Sequence, residues 1–304
     1  MINLSYPVCT LDNKQVLPSG CELSPGVMNS IRAPQEETRK TQSLLRHAAI
    51  DQDLREFLQI YPYNVIFGDK TDMAGLYAHM GAVYLSPPVC ETLDYFKIND
   101  YYTYRHIITV FALTTLISRD LLDDHEKCIA ASATGPTHDI GKICVPLSIL
   151  RKTSPLTPEE RLLLQHHAPA GYALLQYYNC DAFAAEVALN HHERRDGSGY
   201  PLGSSEIDQM VEIVAACDVY DALISVRPYR KECFDNRTAL EEITVMAEEN
   251  KIGWDVVKVL IANNRSNKPH YSEVVVSREK RGKKPVHNCY GHTAVKNEAK
   301  TGNS

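Results

Sequence analysis

The chain has 304 residues, 44% of them hydrophobic and 23% charged, with a net charge of −6. That is enough to bury at least one sizeable core, and the composition is that of an ordinary globular protein. No run of 18 apolar residues occurs, the start MINLSYPVCTLDNKQ has no secretory pattern, and nine cysteines fall singly without a CxxC, so membrane insertion and a disulfide framework are both excluded from the expectation, and a reducing cytoplasm is favoured.

Taken in order, residues 1–33 are rich in Pro, Gly, Ser and Asn and read as loop with short strands. Residues 34–60 carry a helical pattern through Leu44, Leu45, Ala48, Leu54 and Leu58. YNVIFG and GAVYLS read as short strands. Ser86-Pro87-Pro88 reads as a boundary, which makes residues 1–88 a small mixed α+β N-terminal domain, with a regulatory role among the expectations.

From residue 89 to 265 the texture is helical, with expected helices at 101–119, 121–132, 157–178, 181–193, 205–225, 237–248 and 254–263. Thr157-Pro158-Glu159-Glu160 is a start signal, with Thr157 as cap and Glu160 closing a capping box. The fold class expected is mainly α, an all-helical bundle behind the small mixed domain. Residues 264–304 hold nine Lys/Arg against three Asp/Glu, leaving −12 on the remainder. Residues 266–304 therefore read as a basic, flexible tail able to meet an anionic partner.

Several polar side chains fall on apolar helix faces. His106 shares a face with Val110, Leu113 and Ile117, His191 with Val187 and Ala188, and Asp218 with Val211 and Val214. An inward aspartate needs a cation or strong donors, because an unpaired buried carboxylate costs several kcal/mol. His and Asp converging from facing helices is how bundle cores hold metals. The sharpest joint signal is HDIGK, residues 138–142, preceded by Gly135-Pro136, which are expected to break the helix before it. His138 and Asp139 can serve one metal, Asp139 can bridge to a second, and Lys142 sits one turn on, able to meet a phosphate.

HDIGKICVPLSILRKTSPLTPEE, His167 four residues before Gly171, HHERRDGSGYP at 191–201, and CDVYDALISVRPYRK together resemble the HD-GYP domains, bacterial members of the metal-dependent HD phosphohydrolases. The resemblance covers about residues 97–265. It implies an all-helical HD core that hydrolyses cyclic di-GMP to pGpG or GMP by attack of a metal-bridging hydroxide. It implies one metal site from His106, His138, Asp139 and Asp218, and a second from Asp139, His167, His191 and His192. Lys142, Arg227 and Arg230 match positions that contact substrate phosphates. Tyr200 matches the tyrosine of the GYP loop, which would position substrate or recruit a partner such as a GGDEF-type diguanylate cyclase. The resemblance favours iron for the two divalent ions, with manganese, nickel or zinc as alternatives. A DNA partner is not expected.

Arg195 stands where that family has tryptophan, Val226 where it has an acidic residue, and Leu147 where it has aspartate. Tyr102 stands four residues before His106, at a position that is a carboxylate in members with a third metal, so two ions are expected. Besides the active phosphodiesterase, two readings stay open at this level: a low-turnover module that holds cyclic di-GMP or a diguanylate cyclase, and a phosphohydrolase for another nucleotide.

Overall fold

The computed structural model describes residues 2–31, 41–68, 70–225 and 232–285. Its strands are short and lie before residue 88. β1 (Val8–Cys9) pairs antiparallel with β2 (Gln15–Leu17), Val8 facing Leu17 and Cys9 facing Gln15. β3 (Gln42–Ser43) pairs with β4 (Tyr84–Leu85), Gln42 facing Leu85. Among these run α1 (Pro25–Ser30), α2 (Ile50–Leu58), α3 (Tyr63–Ile66) and α4 (Met73–Gly81), then α5 (Pro87–Asn99).

The bundle follows as α6 (Tyr101–Leu121), α7 (His125–Thr137), a 3-10 turn at Ile140–Cys144, α8 (Leu147–Leu150), α9 (Pro158–Gln165), α10 (His167–Tyr177), α11 (Ala182–Asn190), α12 (Gln209–Ile224), α13 (Asn236–Glu248) and α14 (Trp254–Asn263). α6 is its axis: α2, α4, α5, α7, α12 and α14 all pack on it. Between Thr103 and Ser118 every residue except Arg105 is buried. A helix apolar or small all round has no solvent face, which is what this central position requires.

The helix starts follow from the sequence. Thr157 accepts from the Glu160 N–H while Glu160 accepts from the Thr157 N–H, the reciprocal box expected there. Asp124, Asp181, Asp208 and Asp235 cap α7, α11, α12 and α13, and each such cap stabilises its helix by about 1 kcal/mol. One apolar cluster runs from Leu4 and Val8 through Leu54 and Phe111 to Leu260, so the segment before residue 88 shares its core with the bundle.

The structure corrects several expected elements. YNVIFG is not a strand: Tyr63–Ile66 is helical, and Tyr63, Ile66 and Phe67 are buried at the spacings of 3 and 4 that a helix gives. Residues 34–40 of the expected first helix lie outside the described residues. The rest of it has one 3-10 turn at Leu44–Arg46 and is α-helical only from Ile50, because Gln42 and Ser43 pair with β4 and Ala48 sits at a φ of 48°. The expected helix at 157–178 divides at His166, since Pro169 has no N–H to offer the Gln165 carbonyl. Gly135-Pro136 do not break the preceding helix: α7 runs to Thr137 with Pro136 inside its last turn, at the cost of the one hydrogen bond a Pro136 N–H would have given the Ser132 carbonyl. Gly135 serves contact instead, because a Cβ there would lie 2.8 Å from the Phe111 Cα, and its absence lets α7 lie close against α6.

Residues 280–284 of the basic tail lie along α13. Lys280 pairs with Glu248 and Lys284 with Glu242, while the Arg281 and Gly282 N–H groups donate to Glu241. The nearest anions to this stretch are therefore the chain's own.

Candidate metal centre

Five elements deliver the site. α6 brings His106, the end of α7 and the turn after it bring His138 and Asp139, α10 begins on His167, α11 ends into His191 and His192, and α12 carries Asp218. The approach of the turn to α10 depends on a missing side chain: a Cβ on Gly141 would fall 2.0 Å from the His167 carbonyl oxygen and 2.3 Å from the Gly171 nitrogen. Only glycine lets Asp139 come this near His167.

Asp139 is 1% exposed and divides its two oxygens. Oδ1 lies 3.4 Å from His167 Nε2 and 3.9 Å from His191 Nε2. Oδ2 lies 3.5 Å from His106 Nε2 and 3.4 Å from His138 Nε2. Asp218 Oδ1 adds a contact of 3.1 Å to His106 Nε2, and Asp218 Oδ2 stands 3.9 Å from His192 Nδ1. Two sets of ligand atoms result, each within 4.8 Å: His106, His138 and Asp139 on one side, and His167, His191 and His192 on the other.

Four of the histidines are oriented by the same device. His138 Nδ1 faces the Gly135 carbonyl at 2.6 Å, His167 Nδ1 the Leu164 carbonyl at 2.6 Å, and His191 Nδ1 the Ala188 carbonyl at 2.8 Å. His106 Nδ1 faces Asp221 Oδ2 at 2.6 Å. A carbonyl or carboxylate oxygen only accepts, so each of these Nδ1 atoms carries a proton, and Nε2 of His138, His167 and His191 presents its lone pair to the centre, whereas His106 Nε2 faces a second carboxylate, Asp218 Oδ1.

This arrangement fits metal ions. His106 Nε2, His138 Nε2 and Asp218 Oδ2 are buried without a hydrogen-bond partner, and all three face the centre. His167 Nε2 lies 3.2 Å from His191 Nε2 and 3.1 Å from His192 Nε2. With Nδ1 of both His167 and His191 facing a carbonyl, their two Nε2 lone pairs repel one another unless a cation stands between them, and separations of about 3 Å suit neighbouring ligands with metal–nitrogen bonds of about 2.1 Å.

The electrostatics agree. Burial pushes the His167 imidazole down to about 4, against the pull of Asp139. Burial and neighbouring imidazoles hold His191 and His192 well below the usual histidine value. Burial works against ionised Asp139 and Asp218, yet Lys142 and His138 hold Asp139, and His106 holds Asp218, well below the carboxylate range. Neutral imidazole and ionised carboxylate are the forms that ligate metal. His106 differs: burial opposes its charge, but Asp221 and Asp218 outweigh burial and raise it.

Of the other expected site residues, Lys142 is half-buried and pairs with Asp139 Oδ2. Tyr200 is half-buried, stacked on the His192 ring at 4.5 Å between centroids. Arg227 and Arg230 lie outside the described residues, as does Val226. Tyr102 is 42% exposed and belongs to neither ligand set. Arg195, the departure from tryptophan, makes a two-armed pair with buried Glu212 on α12, Nη2 to Oε2 at 2.7 Å. It ties the GYP loop to the bundle.

Two functional side chains escape a reading by residue pattern. Asp221 is fully buried and orients His106; its signal was present in DVYDAL, where it follows Asp218 by three residues on the same helix face. Glu193 is fully buried and gathers the GYP loop, accepting the N–H of Leu202 at 2.6 Å, of Gly203 at 3.2 Å and of Ser204 at 3.0 Å. Its partners are backbone groups 9 to 11 residues away, which no side-chain pattern reveals.

Comparison with known proteins bears on the same stretch. The HD domain model matches residues 91–256. A cyclic di-GMP phosphodiesterase of Pseudomonas aeruginosa is 40% identical over 167 residues, covering 54% of this chain and 39% of that protein. A cyclic di-GMP phosphodiesterase of Thermotoga maritima is 39% identical over 138 residues, 44% of this chain and 38% of that protein. A 3′3′-cGAMP-specific phosphodiesterase of Vibrio cholerae is 34% identical over 169 residues, 54% of this chain and 38% of that protein. The chain thus spans about two fifths of the length of these relatives. The matched stretch contains the divided carboxylate of Asp139 and the imidazoles around it, and on that match this chain belongs to the HD domain family, with the HD-GYP signature in HHERRDGSGYP.

Proposed function

We propose that the chain is a metal-dependent phosphodiesterase that opens cyclic di-GMP to linear pGpG, to GMP, or to both. The observation that carries this reading is the division of the Asp139 oxygens between two histidine sets, a shape suited to two adjacent ions on one phosphodiester. When bound, the ions supply neutralisation of phosphate charge and a water acidic enough to attack near neutral pH. The imidazole and carboxylate donors suit iron, manganese, nickel or zinc, with iron first by family resemblance.

The chain's own groups have separate tasks in this proposal. Asp139 joins the two sites. Lys142, beside Asp139, offsets negative charge on the phosphate as it develops. Tyr200, stacked on His192 at the edge of the site, positions substrate and offers the loop at 195–204 to a partner such as a diguanylate cyclase. Arg227 and Arg230 are assigned the remaining phosphate contacts on resemblance alone. A cytoplasmic location belongs to the same reading; the described cysteines are free, and no helix among the described residues is long and apolar enough to cross a membrane.

Product analysis tests the proposal. Protein loaded anaerobically with Fe2+ or Mn2+ is incubated with cyclic di-GMP and, separately, with 3′3′-cGAMP, and linear products are resolved by chromatography. Linear pGpG or GMP from cyclic di-GMP is expected. Tight binding of cyclic di-GMP without product would instead identify a low-turnover module, and preference for 3′3′-cGAMP would reassign the substrate.

A further inference from the structure

His106 is oriented by Asp221, and Asp221 in turn needs donors, because its carboxylate is fully buried. Four groups surround it. Oδ2 faces His106 Nδ1 at 2.6 Å and accepts from the Ser225 hydroxyl at 3.1 Å. Oδ1 faces Thr109 Oγ1 at 2.7 Å and the Tyr63 hydroxyl, which donates to it. Thr109 has one proton and two further acceptors in reach, the Arg105 carbonyl at 2.9 Å and the His106 carbonyl at 3.0 Å. Tyr63 is thus the donor committed to Oδ1.

Tyr63 comes from far away. It is 158 residues from Asp221 in sequence, on the four-residue helix α3, and lies outside residues 91–256 that the HD domain model matches. It is 1% exposed, so its hydroxyl has no water to turn to. α3 is itself clamped from the other end of the chain: Lys268 Nζ donates to the Ile66 carbonyl and to Thr71 Oγ1, and Thr71 Oγ1 donates to the same carbonyl at 2.8 Å.

We propose that Tyr63 is a positioning residue of the metal centre, acting through Asp221 on the orientation of His106, so that the segment before the HD domain is a working part of one ion site. This rests on the reading of His106 as a metal ligand. The acceptor behind a ligating histidine holds its ring, and loss of such a partner lowers metal affinity by about 10- to 100-fold. Tyr63 extends that support one residue outward.

The test compares Tyr63→Phe with Tyr104→Phe. Tyr104 is equally buried, and its hydroxyl donates to Asp53, which has no part in the site. Metal-free protein of each form is titrated with Co2+ against a competing chelator, following affinity and the visible absorption of the bound ion, with thermal unfolding of the metal-free protein alongside. Tyr63→Phe is expected to weaken one of two Co2+ ions about 10-fold or more and alter its absorption, leaving the other unchanged, while Tyr104→Phe keeps both at wild-type affinity. Wild-type affinity and spectrum in Tyr63→Phe, or equal weakening in Tyr104→Phe, would overturn the inference. Wild-type protein that binds no Co2+ would overturn the metal reading itself. Should Tyr63→Phe fail to fold, 3-fluorotyrosine at position 63 keeps the donor, and its 19F resonance is expected to shift when Co2+ or Zn2+ is added; an unmoved resonance contradicts the inference.

Discussion

The buried carboxylate of Glu193 accepts the backbone N–H of Leu202 at 2.6 Å, and with it shapes the loop that carries Tyr200. The next two amides donate to the same side chain, at 3.2 and 3.0 Å. Gly199 completes the fold of the loop, since a Cβ there would lie 2.4 Å from the Glu193 Cα. Glu193→Ala removes three acceptor contacts at once, each bond to a charged group being worth about 1.5–3 kcal/mol. The loop is expected to detach while the metals stay. Hydrogen exchange at residues 202–204 should accelerate and hydrolysis should fall. Unchanged exchange at those amides would show that Glu193 does not hold the loop.

Asp139→Ala should deplete both ions, because the two oxygens of this one carboxylate face the two ligand sets. Metal analysis of the purified variant checks this. One ion retained at full occupancy would mean that Asp139 serves a single site.

Lys142→Ala should act differently. Its ammonium pairs with Asp139 Oδ2, the oxygen that also faces His106 and His138. Removing a cation from that oxygen leaves more negative charge for an ion, so metal affinity should hold or rise. Hydrolysis should nevertheless fall, on the order of 100-fold, from loss of charge opposite the phosphate. Metal titration and steady-state kinetics on the same preparation decide it, and lost metal with unaltered kinetics per bound ion would contradict the assignment.

Stability of the metal-free protein should drop in acid within a defined window. The folded chain holds His167 near 4 and His191 and His192 well below their usual value, while the unfolded chain titrates them at about 6.5. Between those values the unfolded state binds protons that the folded state refuses, so stability falls as pH drops. His167 alone accounts for about 3 kcal/mol across that window. His106, raised by Asp221 and Asp218, contributes in the opposite sense, and its change with pH lies above about 6.5. Urea unfolding of chelator-treated protein from pH 7 to pH 4.5 reads the effect, and a flat midpoint would contradict it.

The long helices of the bundle were legible because apolar residues repeat along them at helical spacing, and the histidines and aspartate that the structure gathers at the candidate centre were legible because HDIGK and HHERRDGSGYP set chemistry-bearing residues side by side. YNVIFG was misread because a short apolar run, Val65 to Phe67, suits a strand and a short helix equally, and only packing on the core decides. Asp221 repeats three residues after Asp218, yet its task appears only when α12 is laid against α6. Glu193 and Tyr63 were hidden for a common reason: their partners are backbone amides in a loop and a carboxylate 158 residues away, contacts made by tertiary structure alone.

The most direct measurement is cyclic di-GMP hydrolysis as a function of metal ions bound per chain, from the metal-free protein upward. Product should be absent without metal and should rise as the second ion is loaded, since the two Asp139 oxygens face the two ligand sets and the proposed function sets both ions on one phosphodiester. Full activity at one ion per chain, or no hydrolysis with two ions in place, would contradict the account.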